Sequence, residues 1–148
     1  MKKTLRSTRL GTFTLNEEIE GFPMYTTNTS VGPHADVDVT LNSNGSEDVN
    51  FEQTLSSAER RIDAFIATEP EIRRALLPGL RTSIKEFTGV EWRGSDQALI
   101  SQLKLMNLNF TNDGTMEVWY HCNEPTDYHD VVVELDADMM VQEVSLDG

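Results

Sequence analysis

The chain has 148 residues and a formal net charge of −13, with 12 Lys and Arg against 25 Asp and Glu. This length is typical of one domain with one hydrophobic core, so we expect a single domain over residues 1–148. A strong negative field repels nucleic acid and anionic membrane surfaces, and it attracts basic proteins and other cations. The composition therefore argues against nucleic acid and membrane as partners and favours a basic protein.

The acidic residues are concentrated in two parts of the chain. Residues 10–59 contain nine acids and residues 105–148 contain ten, and neither part has a Lys or Arg. Solubility alone would account for an acidic total. If both parts fold into one sheet, the protein also has an acidic face.

The sequence favours a cytoplasmic location. Met1–Arg6 are basic like the start of a signal peptide, but no apolar segment follows, and no run of about 18 apolar residues occurs anywhere. Cys122 is the only cysteine, so no internal disulfide can form.

Alternating apolar residues predict at least two strands in the first half of the chain. Residues 12–15 alternate threonine with apolar residues, and residues 36–41 alternate polar residues with Val or Leu. Residues 24–27 predict a short edge strand between them, because glycine and proline flank it.

The period of the apolar residues changes to that of an amphipathic helix over residues 55–66, and Asn50 is its expected N-cap. Thr68 with Glu71 three residues later resembles a capping box, which predicts that this helix ends and a second begins near Glu69.

A third, short helix is expected from Pro78 to Gly89. The rest of the chain is predicted to be four strands joined by short connections, with a hairpin turn at residues 111–114. Segregated β, α and β blocks favour an α+β fold: an antiparallel sheet with a C-terminal four-strand meander, packed against two or three helices.

The predicted strand at residues 116–122 supplies the candidate binding site. Glu117, Trp119 and His121 alternate with apolar residues and so lie on the face opposite the core. A large aromatic side chain among acids is typical of an interface anchor, unless helices cover that face and make Trp119 a core residue. The predicted partner-binding residues are Glu117, Trp119, His121, Glu134 and Asp136.

Cys122 is expected to be a buried core residue, because it follows the apolar face of the same strand. His121 is adjacent in sequence, but neighbouring strand residues point to opposite faces. The sequence therefore predicts no Cys and His pair for nucleophilic catalysis, and no catalytic or cofactor-binding motif is present.

No metal site is predicted. His34, Asp36 and Asp38 share one face of a predicted strand, but alternate residues there lie about 7 Å apart, too far to share one ion without a bend.

A basic cluster lies in the predicted helical part of the chain. It could bind a phosphate, and the favoured alternative is that it forms ion pairs with the acidic sheet. Its members are Arg73, Arg74, Arg81 and Lys85.

The pattern of residues 37–41, the helical middle and the ending at residues 130–148 resembles a group of small bacterial proteins of unknown function. It is also similar to that of contact-dependent growth inhibition immunity proteins. This resemblance implies an acidic α+β domain that binds and neutralises a basic toxin domain, and it carries over no catalytic residue.

The sequence thus predicts a non-enzymatic binding protein, an immunity protein that meets its partner through an acidic surface. Two alternatives stay open. A small hydrolase would need a concave pocket that gathers His121 or His129 with carboxylates. A homo-oligomeric structural domain would use Trp119 at a symmetric contact.

Overall fold

The computed structural model describes residues 3–16, 23–43 and 49–147. The fold is α+β, with eight strands in one sheet and three helices in the described residues. The strands are β1 (Thr4–Ser7), β2 (Gly11–Asn16), β3 (Met24–Val31), β4 (His34–Asn42), β5 (Lys104–Thr111), β6 (Met116–His121), β7 (Asp130–Leu135) and β8 (Val141–Asp147). The α-helices are α1 (Phe51–Ala75), α2 (Leu77–Thr88) and α3 (Asp96–Ile100), and a single 3-10 turn spans Glu124–Thr126.

The order of the strands across the sheet is their order in the chain. All neighbouring strands are antiparallel except β4 and β5, which are parallel. Parallel neighbours need a long crossover, and here the crossover contains the helices. The sheet therefore has one face covered by these helices and one face that the helices of the described residues leave uncovered, which we call the open face.

The core lies between the helices and the covered face. Alternate residues of each central strand point into it, and they are fully or almost fully buried. Phe65 is the largest buried side chain of α1, Leu80 and Ile84 are large buried side chains of α2, and Tyr120 is the largest buried side chain of the sheet. Among the described residues, no helix combines the length and the apolar composition that crossing a membrane requires.

The expected break in the first helix is wrong, because α1 continues without interruption from Phe51 to Ala75. Thr68 does not cap a new helix; its hydroxyl donates to the carbonyl of Ala64 within α1. Pro70 lies inside the helix. The predicted N-cap is confirmed, since Asn50 Oδ1 accepts from the backbone N–H groups of Glu52 and Gln53.

The first half of the chain contains more strand than expected. β1 was not predicted, because residues 4–7 have little apolar alternation. The predicted edge strand at residues 24–27 is instead the start of β3, which has eight residues and pairs with both β2 and β4. β3 is therefore an internal strand.

Candidate functional site

The acidic residues of the C-terminal strands form a row across the open face. Glu117 of β6 pairs directly with Glu134 of β7, and Glu134 pairs with Glu143 of β8. Neighbouring strands lie about 4.8 Å apart, so three carboxylates occupy successive positions without a cation in the row. Like charges directly opposite each other destabilise a sheet. We call these three residues the glutamate row.

Trp119 lies beside the glutamate row. It pairs with Val132 of β7 and is half-buried, on the face opposite the helices. Its indole N–H donates to Glu117 Oε1 at 3.4 Å, and Asn109 Nδ2 donates to the same oxygen at 3.0 Å. Trp119 is thus not a helix-covered core residue. Its indole and the Asn109 amide together hold the Glu117 carboxylate in place.

His121 lies on the far side of Trp119, in a row of mixed charge. It pairs with Lys104 of β5 and Asp130 of β7, and Asp130 pairs with Asp147. The ring atom Nδ1 lies 3.1 Å from Asp130 Oδ1. This row is therefore less negative than the glutamate row.

Asp136 follows β7 and organises the turn to β8. Its Oδ1 accepts from the backbone N–H groups of Asp138 and Met140, and its Oδ2 accepts from Gln142 Nε2 at 3.0 Å. Its backbone carbonyl accepts from the guanidinium of Arg61, whose pKa is lowered by burial and raised in part by the charge of Asp136. The carboxylate of Asp136 is therefore committed to the turn.

The other half of the open face is largely neutral. A shallow depression of about 450 Å³ there is lined mainly by hydroxyl and amide side chains. The one carboxylate in this lining, Asp38, accepts from Asn28 Nδ2 at 2.9 Å. The glutamate row is thus a local feature of the C-terminal strands.

A second constellation, which the sequence analysis missed, lies on the helix-covered side. Glu69 of α1 is only 7% exposed and has three partners. Its Oε2 accepts from the Tyr120 hydroxyl at 2.8 Å and from Arg73 Nε at 3.2 Å, while Oε1 lies 2.6 Å from His34 Nε2. Because a carboxylate only accepts hydrogen bonds, the proton of this last bond lies on Nε2.

Arg73 fixes this constellation to the end of α3. Its Nη1 donates to the carbonyls of Ile100 and Leu103, and its guanidinium carbon lies 4.9 Å from the centre of the Tyr120 ring. Burial, and then the charge of Glu69, raise the pKa of Tyr120 well above its ordinary value. The tyrosine is thus a hydrogen-bond donor over the whole physiological range.

The constellation lies at a cavity of about 790 Å³ between α1, α2, α3 and the turn that joins β3 and β4. Aliphatic and proline side chains form much of its wall, and the charged groups come mainly from α1 and α2. The cavity is lined by Pro33, His34, Glu69, Pro70, Arg73, Arg74, Leu77, Pro78, Arg81, Asp96, Gln97 and Ile100.

One sequence-based expectation about His34 is wrong. His34 and Asp38 do not share a face, because β4 has an irregular start: Asp36 has a positive φ of 55° and the register with β3 shifts there. His34 contacts Glu69 on the covered side, whereas Asp38 lies on the open face. No three residues among His, Cys, Asp and Glu converge to hold a metal ion in the part of the chain described.

The basic cluster also pairs differently from the expectation. Arg73, Arg74 and Arg81 form their ion pairs with acids of the helices, not with acids of the sheet. Their respective partners are Glu69, Glu71 and Asp96.

The residues that the hydrolase alternative requires are not gathered at this cavity. His121 lies on the open face with Asp130, and His129 Nδ1 contacts the carbonyl of Thr126. Cys122 is buried as expected, and burial raises the pKa of its thiol. Comparison with protein-family models, curated proteins and solved structures finds no match for this chain.

Proposed function

We propose that this protein is a non-enzymatic binding protein, an immunity protein that neutralises a basic toxin domain through the acidic end of its open face. The observation that carries the proposal is the glutamate row, in which three carboxylates lie side by side without a cation. A partner that places Lys or Arg side chains over this row would relieve the repulsion. Complementary charges of this kind accelerate association and suppress wrong partners.

Trp119 is the proposed anchor of the interface. Half-buried aromatic residues at the centre of a binding surface supply much of its affinity, and charged residues around them supply orientation. Trp119 lies between the glutamate row and the row of His121. In this proposal Asp136 adds negative charge at the margin and holds the turn.

The experiment is affinity purification of the tagged protein from cells that carry the neighbouring genes of its natural chromosome, followed by binding kinetics with the protein recovered. We expect a basic polypeptide whose expression alone arrests growth and whose effect this protein abolishes. The variant Glu134→Gln/Glu143→Gln should slow association about tenfold at low salt and flatten its dependence on ionic strength.

The matched control is Glu71→Gln/Glu91→Gln. It removes the same amount of charge from exposed positions of α1 and of the segment between α2 and α3. Association should be nearly unchanged in this control. Equal slowing in both double variants would mean that only total charge matters, and the placement of the interface on the glutamate row would be wrong.

A further inference from the structure

We propose that the cavity beside Glu69 binds a small organic anion with an apolar body, a monocarboxylate such as a medium-chain fatty acid or an aromatic acid. The site is separate from the proposed partner-binding face, because it lies on the helix-covered side of the sheet. Its volume of about 790 Å³ is within the range of cavities that enclose small ligands.

The charges at the cavity favour an anion. Glu69 is paired with Arg73, and Asp96 is paired with Arg81, so each lining carboxylate already has its arginine. Arg74 is left in excess. Within the part of the chain that the structure describes, its one ion pair is long, 3.8 Å, with a Glu71 that does not line the cavity, and both side chains are 66% exposed. In a protein of net charge −13, this lining carries a local charge of +1 from three arginines and two carboxylates.

His34 adds a second polar group that the fold does not use fully. Glu69 holds its Nε2, as carboxylates orient functional histidines elsewhere, and its side chain remains 23% exposed. Among the described residues, no hydrogen-bond partner to Nδ1 is found. The ring therefore offers a polar edge to a ligand in the cavity that it lines.

The walls explain the requirement for an apolar body. Three of the lining residues are prolines, and Leu77 and Ile100 complete an apolar surface. Prolines have fixed backbone angles and no side-chain freedom to lose, so such a wall binds without a large ordering cost.

Pro70 is the strongest indication that this wall has a functional role. A proline inside a helix removes one backbone hydrogen bond and costs stability, yet Pro70 lies well inside the 25-residue helix α1 and lines the cavity. A buried carboxylate, Glu69, precedes it directly. Local rules of folding are broken most often at functional sites.

The test is a titration of the isotope-labelled protein with sodium decanoate, followed by amide chemical shifts. We expect saturable binding with shifts confined to the cavity, and binding of decylammonium on the order of tenfold weaker because its charge has the opposite sign. A parallel titration with 3-phenylpropionate distinguishes a chain-shaped from an aromatic acid.

Two variants locate the site. Arg74→Gln should weaken decanoate binding about two- to fivefold, whereas Arg60→Gln, the same change at an exposed position of the same helix, should leave it unchanged. Gln97→Trp, at an exposed position of the rim, should block binding without entering the core. Equal binding of decylammonium, or binding unaffected by both Arg74→Gln and Gln97→Trp in folded protein, would overturn the proposal.

Discussion

The network around Glu69 shows how single residues far apart in sequence make one buried charge tolerable. A buried carboxylate is costly unless hydrogen bonds and an opposite charge compensate it. His34 comes from 35 residues before Glu69 and Tyr120 from 51 residues after it. The third partner, Arg73, is one helical turn away and brings the compensating charge.

Tyr120 gives this network a pH dependence that can be measured. In the unfolded chain the phenol loses its proton near pH 10, whereas burial and Glu69 raise its pKa in the folded protein. The folded state then holds the proton more tightly, so this contribution to stability is present below pH 10 and is lost as the pH rises above it. The loss is at most about 1.4 kcal/mol per pH unit.

We expect the free energy of unfolding of Tyr120→Phe to fall less steeply between about pH 9.5 and 11.5 than that of the natural protein. The reason is that Phe has no proton to lose. Urea denaturation at each pH measures the slope. The control is Tyr128→Phe, because Tyr128 is 61% exposed, and this variant should retain the steep decline. If the two variants have the same slope, burial of the Tyr120 phenol is not the cause.

At the scale of elements, the docking of α2 on β8 depends on a glycine. A Cβ at Gly79 would lie 2.9 Å from Val144 Cγ2 and 3.0 Å from Val144 Cβ, which is closer than carbon atoms pack. The Ser83 hydroxyl, one turn further along, donates to the carbonyl of Val144 at 3.1 Å. The helix therefore approaches the strand closely over its first two turns.

We expect Gly79→Ala to lower the free energy of unfolding by about 1 kcal/mol, although the same change in an exposed helix raises it by about that amount. The reason is the contact with Val144, so Val144→Ala should reduce the penalty. A double-mutant cycle on thermal or urea denaturation measures this coupling. Additive effects would show that the close approach is not the source of the loss.

Elements with a local signal were predictable from the sequence, and elements decided by distant contacts were not. Pro78 and Gly89 mark the ends of α2 to within a residue, because a proline start and a left-handed glycine end are local. The continuation of α1 past Thr68 was missed, because what holds Glu69 inside the helix comes from β4 and β6.

The candidate sites divide in the same way. Strand alternation alone puts Glu117 and Trp119 on the face opposite Tyr120, and the structure has them there. The direct pairing of Glu134 with Glu117 and Glu143 depends on the register of three strands, which one sequence does not specify. The cavity forms between four elements that are separate in the sequence, so no local sequence pattern predicts it.

At the scale of the whole molecule, the charge is distributed unevenly over the sheet. An exposed Arg6 on β1 is separated from the acidic strands β6 to β8 by strands β2 to β5, which together carry two aspartates and one lysine. Net charge far from zero keeps a protein soluble but adds self-repulsion to the folded state. We expect this repulsion in the glutamate row, where strand pairing places three glutamates side by side.

The glutamate row should therefore cost stability in the free protein. Like charges directly opposite each other destabilise a sheet, and cross-strand pairs as a class contribute on the order of 0.2–1 kcal/mol. We expect Glu134→Gln/Glu143→Gln to raise the free energy of unfolding by about 1 kcal/mol at 10 mM salt, and Glu71→Gln/Glu91→Gln to leave it close to unchanged. Urea denaturation of the isolated proteins is sufficient, and no partner is needed.

Salt distinguishes charge repulsion from a packing effect of the new amides. At about 1 M salt the screening length falls to about 3 Å, so the gain from Glu134→Gln/Glu143→Gln should largely disappear. A gain that persists at high salt would come from packing, and no gain at low salt would mean that the row carries no strain. A row that costs stability in the free protein agrees with the proposed cationic partner, because stability is commonly sacrificed at binding sites.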